Sequence, residues 1–207
     1  MNDKLSSLCS EFITQLASPA PVPGGGGAAA LCAALSASLL SMAGELSLGK
    51  KSIALHTDEI AALNAAAKDK AGHFLALIDA DADAFEPLSR AYSIPKDAPM
   101  RKSVLSEASL TAASAPMDIL AECLETAAVL ERMAEICSRL MLSDVGCAAS
   151  LCRAAAECAA MNVYVNLPGI SDEAVSERLR KETDSTLELC TRRADAVAQT
   201  VLTRLRG

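Results

Sequence analysis

The chain has 207 residues, a formal net charge of −7, and 41 alanines against three Phe, two Tyr and no Trp. This length suits one domain with a sizeable core, and the alanine excess favours close-packed helices over sheets, which draw on β-branched and aromatic residues. The acidic charge, without a basic stripe interleaved with aromatics, argues against nucleic acid as a partner. The sequence predicts an all-α multi-helix bundle, with residues 1–207 as one domain.

The first predicted helix covers Asp3–Ala17. It is followed by PAPVPGGGG at Pro19–Gly27, where prolines stiffen the chain and glycines permit a tight turn. An alanine-rich helix is predicted over Gly26–Leu48. Its uncharged part, Ala28–Gly44, holds three serines and is shorter than the roughly 20 apolar residues of a membrane span. We therefore expect a buried helix, or a helix at a subunit contact, and no membrane association.

The middle of the chain predicts two long helices. The first covers Thr57–Tyr92 and is expected to kink at Pro87, because proline removes a helical hydrogen bond. A loop over Ile94–Met100 separates it from the second. That helix is predicted over Arg101–Leu142, either kinked or divided at Pro116.

Two more helices complete the prediction. Ser143–Asp144 is interpreted as the start of a largely buried helix to about Val163, with either side chain able to cap its free N–H groups. A turn follows at Asn166–Gly169. The last helix starts at Ser171–Glu173 and is amphipathic, with one apolar stripe among many charges.

Eight cysteines occur without any CxxC pairing, and most lie among alanines and leucines, where a free thiol packs as a small apolar group. A chain of this length and alanine content needs no disulfide framework. No histidine is near Cys147 and Cys158 in sequence, so no zinc site is expected. Because Met1–Leu16 also lacks a signal-peptide pattern, the expected location is the reducing cytoplasm.

Besides the glycine turn, four groups of polar residues are candidates for chemistry. They are the acidic run Asp79, Asp81 and Asp83; the helix start Ser143 and Asp144; the amides Asn162 and Asn166; and the cations Lys50, Lys51, Arg90, Lys96, Arg101 and Lys102. The helix N-terminus after the glycines could hold an anion or a carbonyl oxygen. Each group has a plain alternative: a solvated acidic face, a helix cap, turn formers, a solvated basic surface and a tight turn.

The order of four segments carries more information than each segment alone. They are PAPVPGGGG followed by AAAL, then DADAFEPLSRAYSIPK, LSDVGCAA and NVYVNLPGISDE. Together they resemble the formiminotetrahydrofolate cyclodeaminase and methenyltetrahydrofolate cyclohydrolase family over about residues 12–173. Two positions depart from the family pattern. Gly27 stands in place of a serine and Ser138 in place of the usual asparagine, and both changes remove a polar group from the expected site region.

The resemblance implies a homodimeric enzyme that acts on a tetrahydrofolate derivative and needs no metal or other cofactor. It implies that Asp144 and Asp81 are the catalytic carboxylates, which stabilise a cationic one-carbon bridge and transfer a proton. The anionic glutamyl tail, polyglutamylated or not, gives the cations a possible task. The expected substrate-binding residues are Pro23, Gly24, Gly25, Gly26, Gly27, Ser143, Asn162, Asn166, Lys50, Lys51, Arg101 and Lys102.

Two reactions fit the resemblance. We expect interconversion of methenyl- and 10-formyltetrahydrofolate, because no formiminotransferase-like segment accompanies this module and because the changes at Gly27 and Ser138 leave fewer groups for proton transfer. The alternative is cyclodeamination of formiminotetrahydrofolate with release of ammonia. Two other classes stay open: a folate-binding relative without catalysis, and a purely structural or interaction bundle.

Overall fold

The computed structural model describes residues 5–207, with side chains from residue 9 onward. Its α-helices are α1 Leu5–Leu16, α2 Gly25–Ser47, α3 Thr57–Ala91, α4 Arg101–Ile136, α5 Leu142–Tyr164 and α6 Glu173–Arg206. Short 3-10 turns lie at Lys51–His56, Arg139–Met141 and Leu167–Gly169. No β-strand occurs between residues 5 and 207, and the all-α prediction is confirmed.

Helix α2 packs between α3 and α5, with alanines making up much of its buried surface. Such small side chains let neighbouring backbones come close. Ser36 Oγ donates to the carbonyl of Ala148 at 2.7 Å, and Cys32 Sγ donates to the carbonyl of Leu151 at 3.4 Å. Residue numbers therefore rise along α5 as they fall along α2, so the two helices are antiparallel. The predicted alanine-rich buried helix is confirmed.

By length and composition alone, α2 is apolar enough to cross a membrane, with a mean hydropathy of 1.6 over its most apolar window. Within the bundle, 61% of that window is buried against the rest of the protein. Internal packing therefore accounts for most of the apolar character of this helix.

Helices α3 and α4 form a long pair, and both continue through their prolines, Pro87 and Pro116. Lys70 Nζ of α3 donates to Glu122 Oε1 of α4 at 2.7 Å in a largely buried ion pair. Pro116 therefore does not divide α4 into two helices. Its effect is local and falls on one carbonyl group in the wall of the cleft described below.

The predicted end of α4 at Leu142 is wrong, because the helix ends at Ile136. Beyond that point the N–H of Ser138 donates to Ser47 Oγ of α2 at 2.9 Å, instead of to a carbonyl four residues earlier. This contact directs the chain away from the helix axis and ties the connection to the end of α2.

The predicted cap at Ser143–Asp144 is also wrong. Helix α5 begins at Leu142, preceded by Met141, and no side chain caps it. The N–H of Leu142 instead donates to the carbonyl of Arg139 in the preceding 3-10 turn. Because that turn supplies a partner for the first amide, the polar side chains of the first turn of α5 are not used as caps.

The last helix agrees with its prediction. Asp172 Oδ1 accepts hydrogen bonds from the N–H groups of Ala174 and Val175, at 2.9 and 3.1 Å, and so caps α6. One stripe of α6 is buried, at Thr183, Cys190, Ala194, Val197 and Val201.

All eight cysteines are free thiols, but the expectation of burial holds for only some of them. Cys123, Cys152 and Cys190 are buried, whereas the others are half-buried or exposed.

Candidate active site

A cleft of about 180 Å³ lies where the first turn of α2, the C-terminal third of α3, the middle part of α4 and the end of α5 meet. Larger grooves occur elsewhere on the surface, but this cleft is the place where the glycine turn, the DADAF segment and the NVYVN segment come together. It is lined by Pro21, Val22, Gly24, Gly25, Gly26, Asp81, Phe85, Ala112, Pro116, Asn162, Val165 and Asn166.

The carboxylate of Asp81 lies on the first turn of α2, where helical N–H groups have no partners within the helix. It accepts a hydrogen bond from the N–H of Gly27 and fills the space beside Gly26, where any Cβ would overlap it. The positive end of the helix dipole favours this negative charge. From the sequence alone, this helix N-terminus could hold an anion. Such an anion has to compete with the carboxylate of Asp81, which already lies there.

Burial raises the pKa of the half-buried Asp81 carboxyl above its ordinary value, although the hydrogen bond from the Gly27 N–H acts in the opposite direction. Its conjugate base is consequently a better proton acceptor than a surface carboxylate. Asp79 and Asp83 are exposed on other parts of α3. For these two residues the solvated acidic face is the correct description, and Asp81 is the member of the run that enters the cleft.

Asn162 forms the opposite wall, directly against the glycine turn. A Cβ on Gly25 would lie 2.8 Å from Asn162 Nδ2, so glycine is required for this approach. Asn162 Nδ2 donates to the carbonyl of Cys158 at 2.8 Å. Its Oδ1 has no hydrogen-bond donor among the described residues and is available to a ligand.

Pro116 creates a hydrogen-bond acceptor in the wall of the cleft. Because proline has no N–H, the carbonyl of Ala112, four residues earlier, has no donor within α4. The buried Asn166 donates from Nδ2 to this carbonyl at 3.4 Å and to the carbonyl of Asn162 at 2.8 Å. These contacts fix the side chain of Asn166 between α4 and α5.

The cleft therefore combines one carboxyl group and two amides with the apolar surfaces of Phe85, Pro116 and Val165. A few placed polar groups within apolar walls are typical of small-molecule sites. At about 180 Å³, the cleft is smaller than the roughly 300–1,000 Å³ of such sites. It encloses only part of a ligand of drug-like size.

Other predicted site residues lie at the far end of α2 and α5. Asp144 precedes Asn162 by 18 residues, which corresponds to about 27 Å along a helix. Lys50 is at this far end too, where its Nζ donates to Ser138 Oγ at 3.2 Å. The predicted catalytic pair, Asp81 and Asp144, does not meet within one copy of the chain.

The remaining polar candidates are divided between these regions. Ser143 and Lys51 are exposed at the far end. Arg101 Nε donates to the carbonyl of Ile94 at 2.8 Å and so holds the connection between α3 and α4. Lys102 is exposed and lines a shallow groove beside the turn that follows α5.

Pro23 and Gly27 support the glycine turn instead of lining the cleft. A Cβ on Gly27 would lie 3.2 Å from Pro23 Cβ and 3.7 Å from Ile78 Cγ2. A serine at this position would extend from the same packed side of the helix. The departure from the family pattern at Gly27 therefore leaves the walls of the cleft unchanged.

Six wall residues were not predicted as site residues: Pro21, Val22, Phe85, Ala112, Pro116 and Val165. Of these, Pro116 was predicted only as a kink or a division of its helix, and Pro21 and Val22 only as part of the segment that leads into the glycine turn. A signal for Pro116 is present in the sequence, because a proline inside a helix frees the carbonyl four residues earlier. The partner of that carbonyl, Asn166, is 54 residues away, and no local pattern connects the two.

Comparison with known proteins adds to this geometry. The family model described as formiminotransferase-cyclodeaminase matches residues 8–185. A methenyltetrahydrofolate cyclohydrolase from Methylorubrum extorquens is 34% identical over 180 residues, which cover 85% of this chain and 86% of that relative. A formimidoyltransferase-cyclodeaminase from Rattus norvegicus is 28% identical over 181 residues, 86% of this chain. The match spans only 34% of the rat protein.

The fold is also similar to a solved structure. The crystal structure of formiminotetrahydrofolate cyclodeaminase from Thermotoga maritima superposes with a TM-score of 0.79 and 26% sequence identity. The match covers 97% of this chain and 98% of the other. The agreement therefore extends over almost the whole bundle.

The contact between Asp81 and Gly26 can be tested by unfolding measurements. Gly26→Ala should lower the free energy of unfolding by about 1–3 kcal/mol, because the new methyl group overlaps the carboxylate. Gly72→Ala is the matched control; nothing lies within 4 Å of its Cβ, so alanine should stabilise this helical position by roughly 0.5–1 kcal/mol. In an Asp81→Ala background the Gly26→Ala cost should shrink. An equal cost in both backgrounds would show that the two residues are not in contact.

Proposed function

Because the chain belongs to the formiminotransferase-cyclodeaminase family, we propose that it is a methenyltetrahydrofolate cyclohydrolase, which converts 5,10-methenyltetrahydrofolate to the 10-formyl compound. The relative that matches it over most of both lengths carries that name. The structural observation that carries the proposal is the Asp81 carboxyl, held in a cleft between the glycine turn and two amides.

The reaction needs a proton acceptor and a stabiliser of positive charge. The methenyl carbon shares a positive charge with N5 and N10, and a water molecule adds to it. One O–H proton leaves as the C–O bond forms. The bond between the carbon and N5 then breaks, its electron pair goes to N5, and N5 takes up a proton, while the second O–H proton leaves as the C=O bond of the formyl group on N10 forms. The sum is substrate plus water giving 10-formyl product plus one proton.

Asp81 fits the role of the base. Its negative charge stabilises the cationic substrate, and its raised pKa makes it a stronger acceptor for the proton of water. The amide oxygen of Asn162 is free to accept a hydrogen bond from the substrate or the water. Phe85, Pro116 and Val165 supply apolar surface for a flat ring. We propose that the pterin end of the folate lies here and that no cofactor takes part.

A second candidate is formiminotetrahydrofolate cyclodeamination. It is favoured by the close agreement in fold with the Thermotoga maritima enzyme of that name. In this reaction N10 attacks the formimino carbon on N5, and ammonia leaves. The same carboxylate would face a cation in both reactions, so the cleft alone is compatible with either.

The expected setting forms part of the same proposal. We propose a homodimer in the reducing cytoplasm, supported by eight free thiols and by apolar side chains exposed on α2, among them Leu35 and Leu46. We also propose that the substrate carries an anionic glutamyl tail, which lies along α4 toward Lys102. Lys102 precedes Ala112 by ten residues, about 15 Å along the helix.

The methenyl compound absorbs in the near ultraviolet and the formyl compound does not, so the reaction can be followed directly. The purified protein should remove this absorbance well above the buffer rate. Asp81→Asn should lower turnover roughly 10²-fold or more, because the amide cannot accept the proton. Asp79→Asn, an exposed neighbour on the same helix, is the control and should keep normal turnover.

Two results would contradict this proposal. If the protein instead generates the absorbance from 5-formiminotetrahydrofolate, with release of ammonia and without hydrolase activity, the cyclodeaminase assignment replaces it. If Asp81→Asn retains normal turnover, Asp81 is not the base.

The position of the tail predicts a charge effect. Lys102→Glu should weaken binding of a polyglutamylated folate more than binding of the monoglutamate, and added salt should reduce the difference. Arg192→Glu makes the same change of charge at an exposed position of α6 and should affect both ligands equally. Equal losses for both ligands in Lys102→Glu would remove Lys102 from the tail site.

A further inference from the structure

The motif residues of the proposed function form two groups that one copy of the chain cannot bring together. Asp81 and Asn162 lie in the cleft, whereas Lys50 and Asp144 lie near the opposite ends of α2 and α5. The separation along α5 is about 27 Å. A single reacting carbon can touch only one of these groups within a protomer.

The surface between the two groups is apolar and uncovered. Helix α2 exposes Leu35, Met42 and Leu46 there, with 52%, 39% and 49% of their surface accessible. Helix α5 packs beside it and exposes Cys147, Cys158 and Met161. These six residues define what we name the α2–α5 face. Contiguous apolar patches of this kind mark interaction surfaces.

The size of this face suits a protein partner. A helix of 23 residues is about 35 Å long, and two adjacent helices are about 20 Å wide, which gives on the order of 700 Å². A standard interface buries about 800 Å² per partner. The face is therefore large enough for a specific dimer contact.

The two ends of the face differ in charge, because the far end holds three cations beside the carboxylate of Asp144. The cleft contains the carboxyl of Asp81, and none of its lining residues is basic. At the far end are the cations Lys50, Lys51 and Arg139, and none of them forms an ion pair with a carboxylate in residues 5–207. A second copy docked in the reverse direction would bring these cations toward the cleft carboxyl at both ends.

A two-fold axis brings the far end of each copy to the cleft of the other through a single, symmetric interface. If the axis passes near Ser36, the midpoint of α2, two α2 helices pack antiparallel and each Gly25 end lies over the Ser47 end of the other. Such isologous contacts are the usual form of a dimer, and shallow crossing angles keep helix ends within reach of each other. The far-end residues of one copy then lie beside the cleft of the other.

We infer that the active site is shared between two copies of this chain, with the cleft of one completed by Lys50 and Asp144 of the other. This inference rests on the proposed function, because it concerns the same cleft. The second carboxylate serves the second proton transfer of the reaction, and the ammonium group, held by its hydrogen bond to Ser138, binds an anionic part of the substrate. Because the second copy supplies part of the site, the cleft in one copy alone encloses a small volume.

Mixed dimers test this inference. Chains carrying Asp81→Asn or Asp144→Asn are prepared with different affinity tags, combined, and purified through both tags. Each parent homodimer should be at least about 10²-fold slower than the unmodified protein. In a shared arrangement the mixed dimer contains one site without substitutions, so it should recover about half of the unmodified activity per dimer.

The reciprocal dimer is the matched control. It pairs an unmodified chain with a chain that carries both substitutions, so a shared arrangement leaves one substitution in each site and no activity. If each site lies within one chain, the results reverse: the first dimer is inactive and the reciprocal dimer keeps half the activity. That reversal, or normal turnover by the Asp144→Asn homodimer, would overturn the inference.

A measurement without activity separates this inference from the proposed function. Leu35→Arg on the α2–α5 face should convert the protein to monomers in sedimentation velocity. Leu110→Arg, at an exposed apolar position of α4, should leave the dimer intact. A dimer that persists in Leu35→Arg would overturn the inference, whereas a lack of cyclohydrolase activity in the unmodified protein would refute only the proposed reaction.

Discussion

The carboxylate of Asp81 on the first turn of α2 is the contact on which the arrangement of the cleft depends. It joins the C-terminal third of α3 to the start of α2, and it requires that position 26 have no side chain. Two opposing effects act on its proton: burial raises its pKa, and the hydrogen bond from the Gly27 amide lowers it. Because burial has the larger effect, the pKa of Asp81 is raised. Its carboxylate therefore lies at a helix N-terminus, as a bound anion does, and is also more basic than a surface carboxylate.

The glycine turn thus has a use different from that of a phosphate-binding loop. The absence of side chains at Gly25 and Gly26 lets Asn162 and Asp81 approach the backbone from two sides. The amides of the helix are then partly satisfied by the protein, and the cleft presents a carboxyl and an amide side chain instead of bare N–H groups. This arrangement suits a cationic one-carbon unit better than an anion.

Much of the fold could be predicted from the sequence, because helix periodicity and alanine content are local properties. The bounds of α2 and α3 and the start of α6 are correct within a residue or two. The errors at the end of α4 and the start of α5 arise from contacts between distant segments. The N–H of Ser138 donates to Ser47 Oγ, 91 residues away on α2, and no pattern in the residues around Ser138 predicts this hydrogen bond.

The sequence predicted which kinds of side chain the candidate site contains, but not which of the predicted residues lie together. The motif resemblance selected Asp81, Asn162 and the glycines, which meet in the cleft. It also selected Asp144, which belongs to the other end of α5. A sequence motif shows which residues occur together along the chain. The direction of each helix determines which of them lie close together in space. Pro116 was missed for a related reason. The carbonyl of Ala112, which it leaves without a helical donor, belongs to the cleft only because the distant Asn166 donates to it.

The most direct test of this account is the titration of the Asp81 carboxyl by carbon-13 NMR, with the signal assigned by its loss in Asp81→Asn. We expect a pKa above the ordinary aspartate value of about 3.9, because burial outweighs the amide hydrogen bond. In Gly26→Ala, where the carboxylate is displaced from the helix, the pKa should change. A pKa at or below the ordinary value, unaffected by Gly26→Ala, would contradict the central claim that Asp81 is a half-buried carboxyl on the first turn of α2, with its pKa raised by burial.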